Sequence, residues 1–242
     1  MRKPLNYSGK PFLSTITFRK ELVDAILDYK YFLCRKYPYK PALNIVVQRY
    51  NLSKPEKALL YRCIHDEETA KSIRKKLVKE AAIENSTLLI DGFNVLITIS
   101  SAAECFQVFL CDDYMLRDVM KSFRKFKFTN KHEEIVNMLI SEIVKLKPSR
   151  TVFFFDKQVS FSGKVAALVS EVAKKHGLKN FETLLTDRND RRIIEYAEKG
   201  IVSSSDIVIL MRTPQIFDLA YYVVRKHFPE KIVYINKILT GE

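Results

Sequence analysis

From Thr87 onward, short and continuously apolar runs alternate with longer amphipathic stretches, a pattern that few folds accept. Residues Thr87–Ile90, Phe106–Leu110, Thr151–Phe155, Phe181–Leu185, Ile207–Leu210 and Ile232–Ile235 read as strands. His132–Lys145, Val165–Lys175, Asp190–Ala197 and Ile216–Lys226 read as helices, the second capped by Ser162 and stopped by Gly177. Strands with no apolar–polar alternation are buried on both faces, as in a parallel sheet with helices above and below it. Residues 85–242 are therefore expected to form an α/β domain of three layers around a mainly parallel central sheet.

Residues 1–84 follow a different period. Leu22, Ile26, Tyr29 and Leu33 recur at spacings of three and four, one apolar helix face that Pro38 and Pro41 close. A second helix is expected over Ala42–Tyr50. Ser53 and Glu56 make a capping box for a third, with Pro55 in its first turn, and Asp66 caps a fourth that ends in a basic stretch from Arg74 to Lys79. The second and third helices have helix-turn-helix spacing, which plain helical bundles share. The chain carries a formal net charge of +13. Residues 1–86 hold 18 basic and 9 acidic side chains, residues 87–242 hold 23 and 19, so the excess sits in the helical part. A basic module of this kind suits a polyanion. The four cysteines form no CxxC pair and read as reduced thiols. No apolar run approaches the ~20 residues that span a bilayer, and Met1–Lys10 has no signal-peptide core, so no membrane association and a cytoplasmic location are expected.

In open α/β sheets, ligands bind beyond the carboxyl ends of the strands. Here strand after strand meets an acid at that edge: Asp91, Asp112 and Asp113, Asp156, Asp187 and Asp190, and Asp206 behind Ser203-Ser204-Ser205. Singly, each reads equally well as a helix cap. As a set, like charges repel unless neutralised, either by Arg and Lys (Arg117, Lys157, Arg188, Arg191, Arg192) or by a hard divalent cation held on carboxylate oxygens. Gly92 reads as a sharp turn or a point of close backbone approach.

The stretch Ile90-Asp91-Gly92-Phe93-Asn94-Val95-Leu96 resembles the first-strand motif of PIN and NYN nuclease domains. Val202–Asp206 is similar to their later small-residue-then-Asp strand end, Asn189–Glu195 to their Asp-bearing helix start, and Phe154-Phe155-Asp156 to the strand before it, so the resemblance runs over roughly residues 85–215. It implies a PIN-like, Rossmann-related fold and a Mg²⁺ or Mn²⁺ held by Asp91, Asp113, Asp190 and Asp206. Asp112 is the alternative to Asp113 for the second acidic position, with Asp118, Glu133 and Glu134 as competitors, because that position here follows an extra strand. The resemblance further implies that Asn94, Ser204 and Ser205 position the substrate and that cleavage leaves a 5′-phosphate.

The expected activity is thus a metal-dependent endoribonuclease with catalytic residues Asp91, Asn94, Asp112, Asp113, Asp190 and Asp206. Substrate contacts are expected from Ser204, Ser205, Arg117, Arg191 and the aromatic–basic stretch bearing Arg124, Lys125 and Lys127, whose Phe residues fit no helical stripe. Tyr29, Tyr31, Tyr37 and Tyr39, interleaved with basic residues, read as packing between helices or as stacking platforms. RNA is the expected partner, and a homodimer stays open. No histidine is required, since His65, His132, His176 and His227 are placed away from the strand ends. Two other readings remain: a PIN-like RNA-binding protein that does not cut, and a DNA-binding regulator acting through the N-terminal helices.

Overall fold

The computed structural model describes residues 15–119 and 131–240. Four helices come first: α1 (Lys20–Cys34), α2 (Tyr39–Arg49), α3 (Lys54–Cys63) and α4 (Glu67–Lys76). The capping box at α3 is present, with Ser53 accepting from the Glu56 amide and Glu56 from the Ser53 amide, and Asp66 caps α4 through the Thr69 amide. The α/β part follows as β1 (Thr87–Asp91), α5 (Gly92–Ala103), β2 (Val108–Leu110), β3 (Leu116–Arg117), α6 (Lys131–Leu146), β4 (Arg150–Asp156), α7 (Ser162–Lys175) and β5 (Phe181–Thr186). Then come α8 (Asn189–Tyr196), β6 (Ile201–Ser203), α9 (Ile207–Arg212), α10 (Leu219–His227), β7 (Ile232–Tyr234) and α11 (Ile235–Thr240).

Strands β5-β4-β1-β6 form a fully parallel sheet. Because side chains alternate along a strand, Leu88, Ile90, Phe153 and Phe155 pack against α5, α6, α7 and α10, while Leu89, Val152 and Phe154 pack against Ile193 of α8 and Ile209 of α9. The sheet is covered on both faces, as the unbroken apolar runs required. A Cβ on Gly92 would lie 2.2 Å from the edge of the Phe155 ring, so this glycine exists for packing at the start of α5.

Three expectations change. The run Ile207–Leu210 is helical, not a strand: Asp206 accepts from the Val208 amide and starts α9, and the strand is the preceding Ile201–Ser203. The strands at 108–110 and 232–234 leave the central sheet and pair with each other, with β3 antiparallel on the other side of β2. Helix α7 begins at Ser162 itself, after Phe161 in a left-handed conformation, although Gly177 does end it at φ +70°.

The second sheet carries the N-terminal helices. Phe109, Cys111, Val119 and Ile235 share one core with Leu22, Ile26, Tyr29, Leu59 and Leu60. Helix α4 meets α9 through Ile73, Met115, Leu210 and Ile216. Main-chain bonds add to this: Ile216 donates to Lys76 O and accepts from the Val78 amide, and it bridges Val202 at the β6 edge. All four cysteines are free thiols. Among the described residues, no helix is long and apolar enough to cross a membrane.

Candidate functional site at the β1–β6 switch point

The chain leaves β1 toward β4 and β5 on one side and returns to β6 on the other, so the order reverses beside β1. This is where an open parallel sheet leaves a crevice. Asp91 ends β1 there and is 6% exposed. Its carboxylate accepts from the Ser204 hydroxyl at 2.8 Å and from the Asn189 side-chain amide at 3.3 Å. Ser204 in turn accepts from the Asp206 amide at 3.1 Å. Asn94, in the first turn of α5, accepts from the Ser205 hydroxyl at 2.5 Å and the Ser205 amide at 3.3 Å. The Asp91-Gly92-Phe93-Asn94 and Ser203–Asp206 motifs, 113 residues apart at Asp91–Ser204, therefore form one hydrogen-bonded unit.

A second knot lies next to it. Arg117 donates Nε to Ser205 O at 2.9 Å and grips both Asp113 oxygens at 2.7 and 2.6 Å. Burial pushes the Asp113 carboxyl up, but the adjacent Arg117 outweighs it and holds it below its ordinary value. Burial and Asp113 act on Arg117 in opposite directions, and the net result is an Arg117 raised well above its usual range. Asp112 accepts from Lys30 Nζ at 2.8 Å, from the His65 amide at 2.8 Å and from His65 Nδ1 at 2.7 Å. His65, fixed to Asp112 in this way, also lines the neighbouring cleft.

Between these walls runs a cleft of about 500 Å³. Asn94, Arg117, Ser205 and Asp206 line it from the α/β side, Tyr39, Tyr61, Arg62 and His65 from the helical side. His65 corrects the expectation that the histidines lie away from the strand ends. It sits between α3 and α4, and the packing of α3 on β2 together with the bond from the His65 amide to Asp112 brings it there. Nothing in its local sequence signals this placement.

The remaining sequence candidates separate. Asp190 faces solvent, and its neighbour Asn189 is the buried residue that reaches Asp91, one position off the expected register. Arg191 is exposed and paired with Glu195 at 3.0 Å. Glu133 and Glu134 are exposed on α6, and Asp118 is buried. Tyr29 is core, whereas Tyr31 and Tyr37 are exposed. Arg124, Lys125 and Lys127 lie outside the described residues. Among the described residues, the cluster of three potential metal-ligating side chains within 4.8 Å is His65, Asp112 and Asp113, and Asp91, Asp190 and Asp206 are not in it.

Residues 80–222 match a domain of unknown function, DUF5616. The chain belongs to that family. Residues 21–76, which hold α1 from its second residue and all of α2–α4, match a second family of unknown function, DUF434. The chain is 32% identical over 183 residues to the uncharacterised protein MJ0935 of Methanocaldococcus jannaschii, covering 76% of this chain and 86% of that one. No solved structure matches it.

Proposed function

We propose that this member of the DUF5616 family is a PIN/NYN-like, divalent-metal-dependent ribonuclease centred on Asp91. The observation that carries the reading is the union of Asp91, Asn94, Ser204 and Ser205 into one network at the strand-order reversal, beside a cleft whose other wall carries Tyr39, Tyr61, Arg62, His65 and Asp66. The donor chemistry fits Mg²⁺ or Mn²⁺. The carboxylate oxygens of Asp91 and Asp206 are hard ligands, and the two residues are linked through Ser204, whose hydroxyl donates to Asp91 and accepts from the Asp206 amide. When bound, such a cation would supply a water of lowered pKa and neutralise charge at phosphorus.

Asp113 is assigned a different part. Both its oxygens are held by Arg117, so it fixes the arginine that in turn holds the Ser205 carbonyl. Asn94 fixes Ser205 from the other side and so sets the loop that follows β6. Asp190, in solvent, is left at the edge of the site. A second reading, an RNA-binding protein that does not cut, draws on one observation: the four aspartates named as metal ligands do not gather within 4.8 Å in any group of three.

Cleavage of labelled single-stranded and structured RNA, with duplex DNA alongside, by wild type and Asp91→Asn in Mg²⁺, Mn²⁺ and EDTA tests the proposal. The expected result is metal-dependent RNA cutting that the substitution abolishes. Salt-sensitive RNA binding with no cutting in any metal leaves the second reading.

A further inference from the structure

The helical wall of the cleft contains a guanidinium whose donors are not used by the protein. Arg62, near the end of α3, is half-buried and lines the cleft. Among the described residues it makes no ion pair and no hydrogen bond, and its Nε is enclosed with no acceptor. The other cations of this region are engaged: Lys30 with Asp112, Arg74 with the Asp112 carbonyl, Arg117 with Asp113, Arg19 with Glu56. A guanidinium with no partner in the protein, on a side chain that lines the cleft, is suited to receive an anion there on its terminal nitrogens.

The neighbours of Arg62 narrow the kind of anion. Tyr61 is 50% exposed. Its ring stands edge-on to Tyr39 at 5.1 Å, and the Tyr39 hydroxyl donates to the Tyr61 carbonyl, so the pair is braced while half of Tyr61 stays exposed. His65, held by Asp112 through Nδ1, lines the same cleft. A fixed fork of donors beside an open aromatic ring suits a phosphate with a base attached better than a carboxylate side chain. The cleft volume of about 500 Å³ is that of a small-ligand site.

We propose that Arg62 and Tyr61 form a nucleotide subsite for single-stranded RNA, the guanidinium on a backbone phosphate and the tyrosine ring under the adjoining base. The subsite rests on the reading of RNA as substrate, and it assigns the helical region the task of holding the strand across the cleft from Asn94, Ser205 and Asp206. It differs from the aromatic–basic stretches singled out in the sequence, since neither Tyr61 nor Arg62 belongs to them.

The test is fluorescence anisotropy of the full chain with a labelled single-stranded oligoribonucleotide in EDTA, which separates binding from cutting. Arg62→Gln is expected to weaken binding about tenfold and to flatten the slope of log K against log salt by about 0.7, the share of one phosphate on a single strand. Arg62→Lys should keep the slope. Tyr61→Ala should weaken binding about tenfold with the slope unchanged, and Tyr61→Phe should bind as wild type. Thermal melts of each variant verify folding. Wild-type affinity and slope in both Arg62→Gln and Tyr61→Ala overturn the subsite, as does the absence of RNA binding by the wild type or stronger competition by an acidic peptide than by unlabelled RNA. If Arg62→Gln loses binding while no metal promotes cutting, the subsite stands and the nuclease reading fails. If the wild type cuts RNA and Arg62→Gln leaves KM and slope unchanged, the subsite fails alone.

Discussion

Two acidic strand ends lie side by side in this protein and are held by different sets of side chains. After β2, Asp112 and Asp113 meet cations: Lys30 from α1, His65 from the loop after α3, and Arg117 four residues along the chain. After β1, Asp91 meets a serine hydroxyl and an asparagine amide. The same sequence pattern, an apolar run followed by aspartate, thus serves both as a structural knot and as the centre of a cleft-side network. The difference lies in what the rest of the chain delivers. An aspartate whose two oxygens are filled by a guanidinium has little left for a ligand. Asp91 instead receives a serine hydroxyl on one oxygen and an asparagine amide on the other.

The contrast can be broken by substitution. Asp91→Asn should reduce RNA cutting by on the order of 10³-fold or more while changing unfolding free energy by only about 1 kcal/mol, read by activity assay and urea titration. Arg117→Ala should do the reverse in kind. It leaves the Asp113 charge buried and unmatched, so a loss of about 3–5 kcal/mol is expected, and Arg117→Met with Asp113→Leu should recover most of it. If Arg117→Ala were as stable as wild type, the knot would not be structural.

Next in size is a pH effect. Burial pushes Asp218 up to about 6, against the amides of Leu116 and Tyr221 that it accepts. Its folded value exceeds its unfolded value of 3.8, so the stability linked to this group is fully present below about pH 4 and lost as pH rises through 6. The change is on the order of 3 kcal/mol, and Asp218→Asn should flatten it in urea titrations between pH 4 and 7. Glu142 slopes the other way. Burial pushes it up, but Lys145, Lys226 and His227 pull it down to about 2, so its contribution is present above 4.5 and lost as pH falls toward 2. Gly92→Ala should cost about 1–3 kcal/mol through the clash with Phe155, measured by thermal melting. The smallest expected change is Ser53→Ala at the α3 capping box, about 1 kcal/mol in the same assay.

Local signals carried through from sequence to structure. Ser53 with Glu56, Asp66 before α4, Gly177 after α7 and the doubly buried run at 151–155 each depend on near neighbours, and each stands where the sequence puts it. Signals that depend on distant partners did not. A four-residue apolar run such as Ile207–Leu210 suits a helix or a strand equally, and the choice falls to the Asp206 cap. The swap of Asn189 for Asp190 turns on which residue of the first α8 turn points at β1. His65 and Arg62 reach the cleft only because α3 packs on a sheet whose strands are more than a hundred residues apart in the chain.

The Ile216 segment has a consequence for any attempt to divide the protein. Ile216 bridges both Val202 of β6 and Leu77, so a few residues from either side of the chain close the rim of the parallel sheet. Remove residues 15–79, and the Ile216 amide and carbonyl lose their partners at Lys76 and Val78. That rim would then present open hydrogen-bonding groups to other molecules, an invitation to strand-to-strand association. The isolated α/β half should therefore be prone to self-assembly.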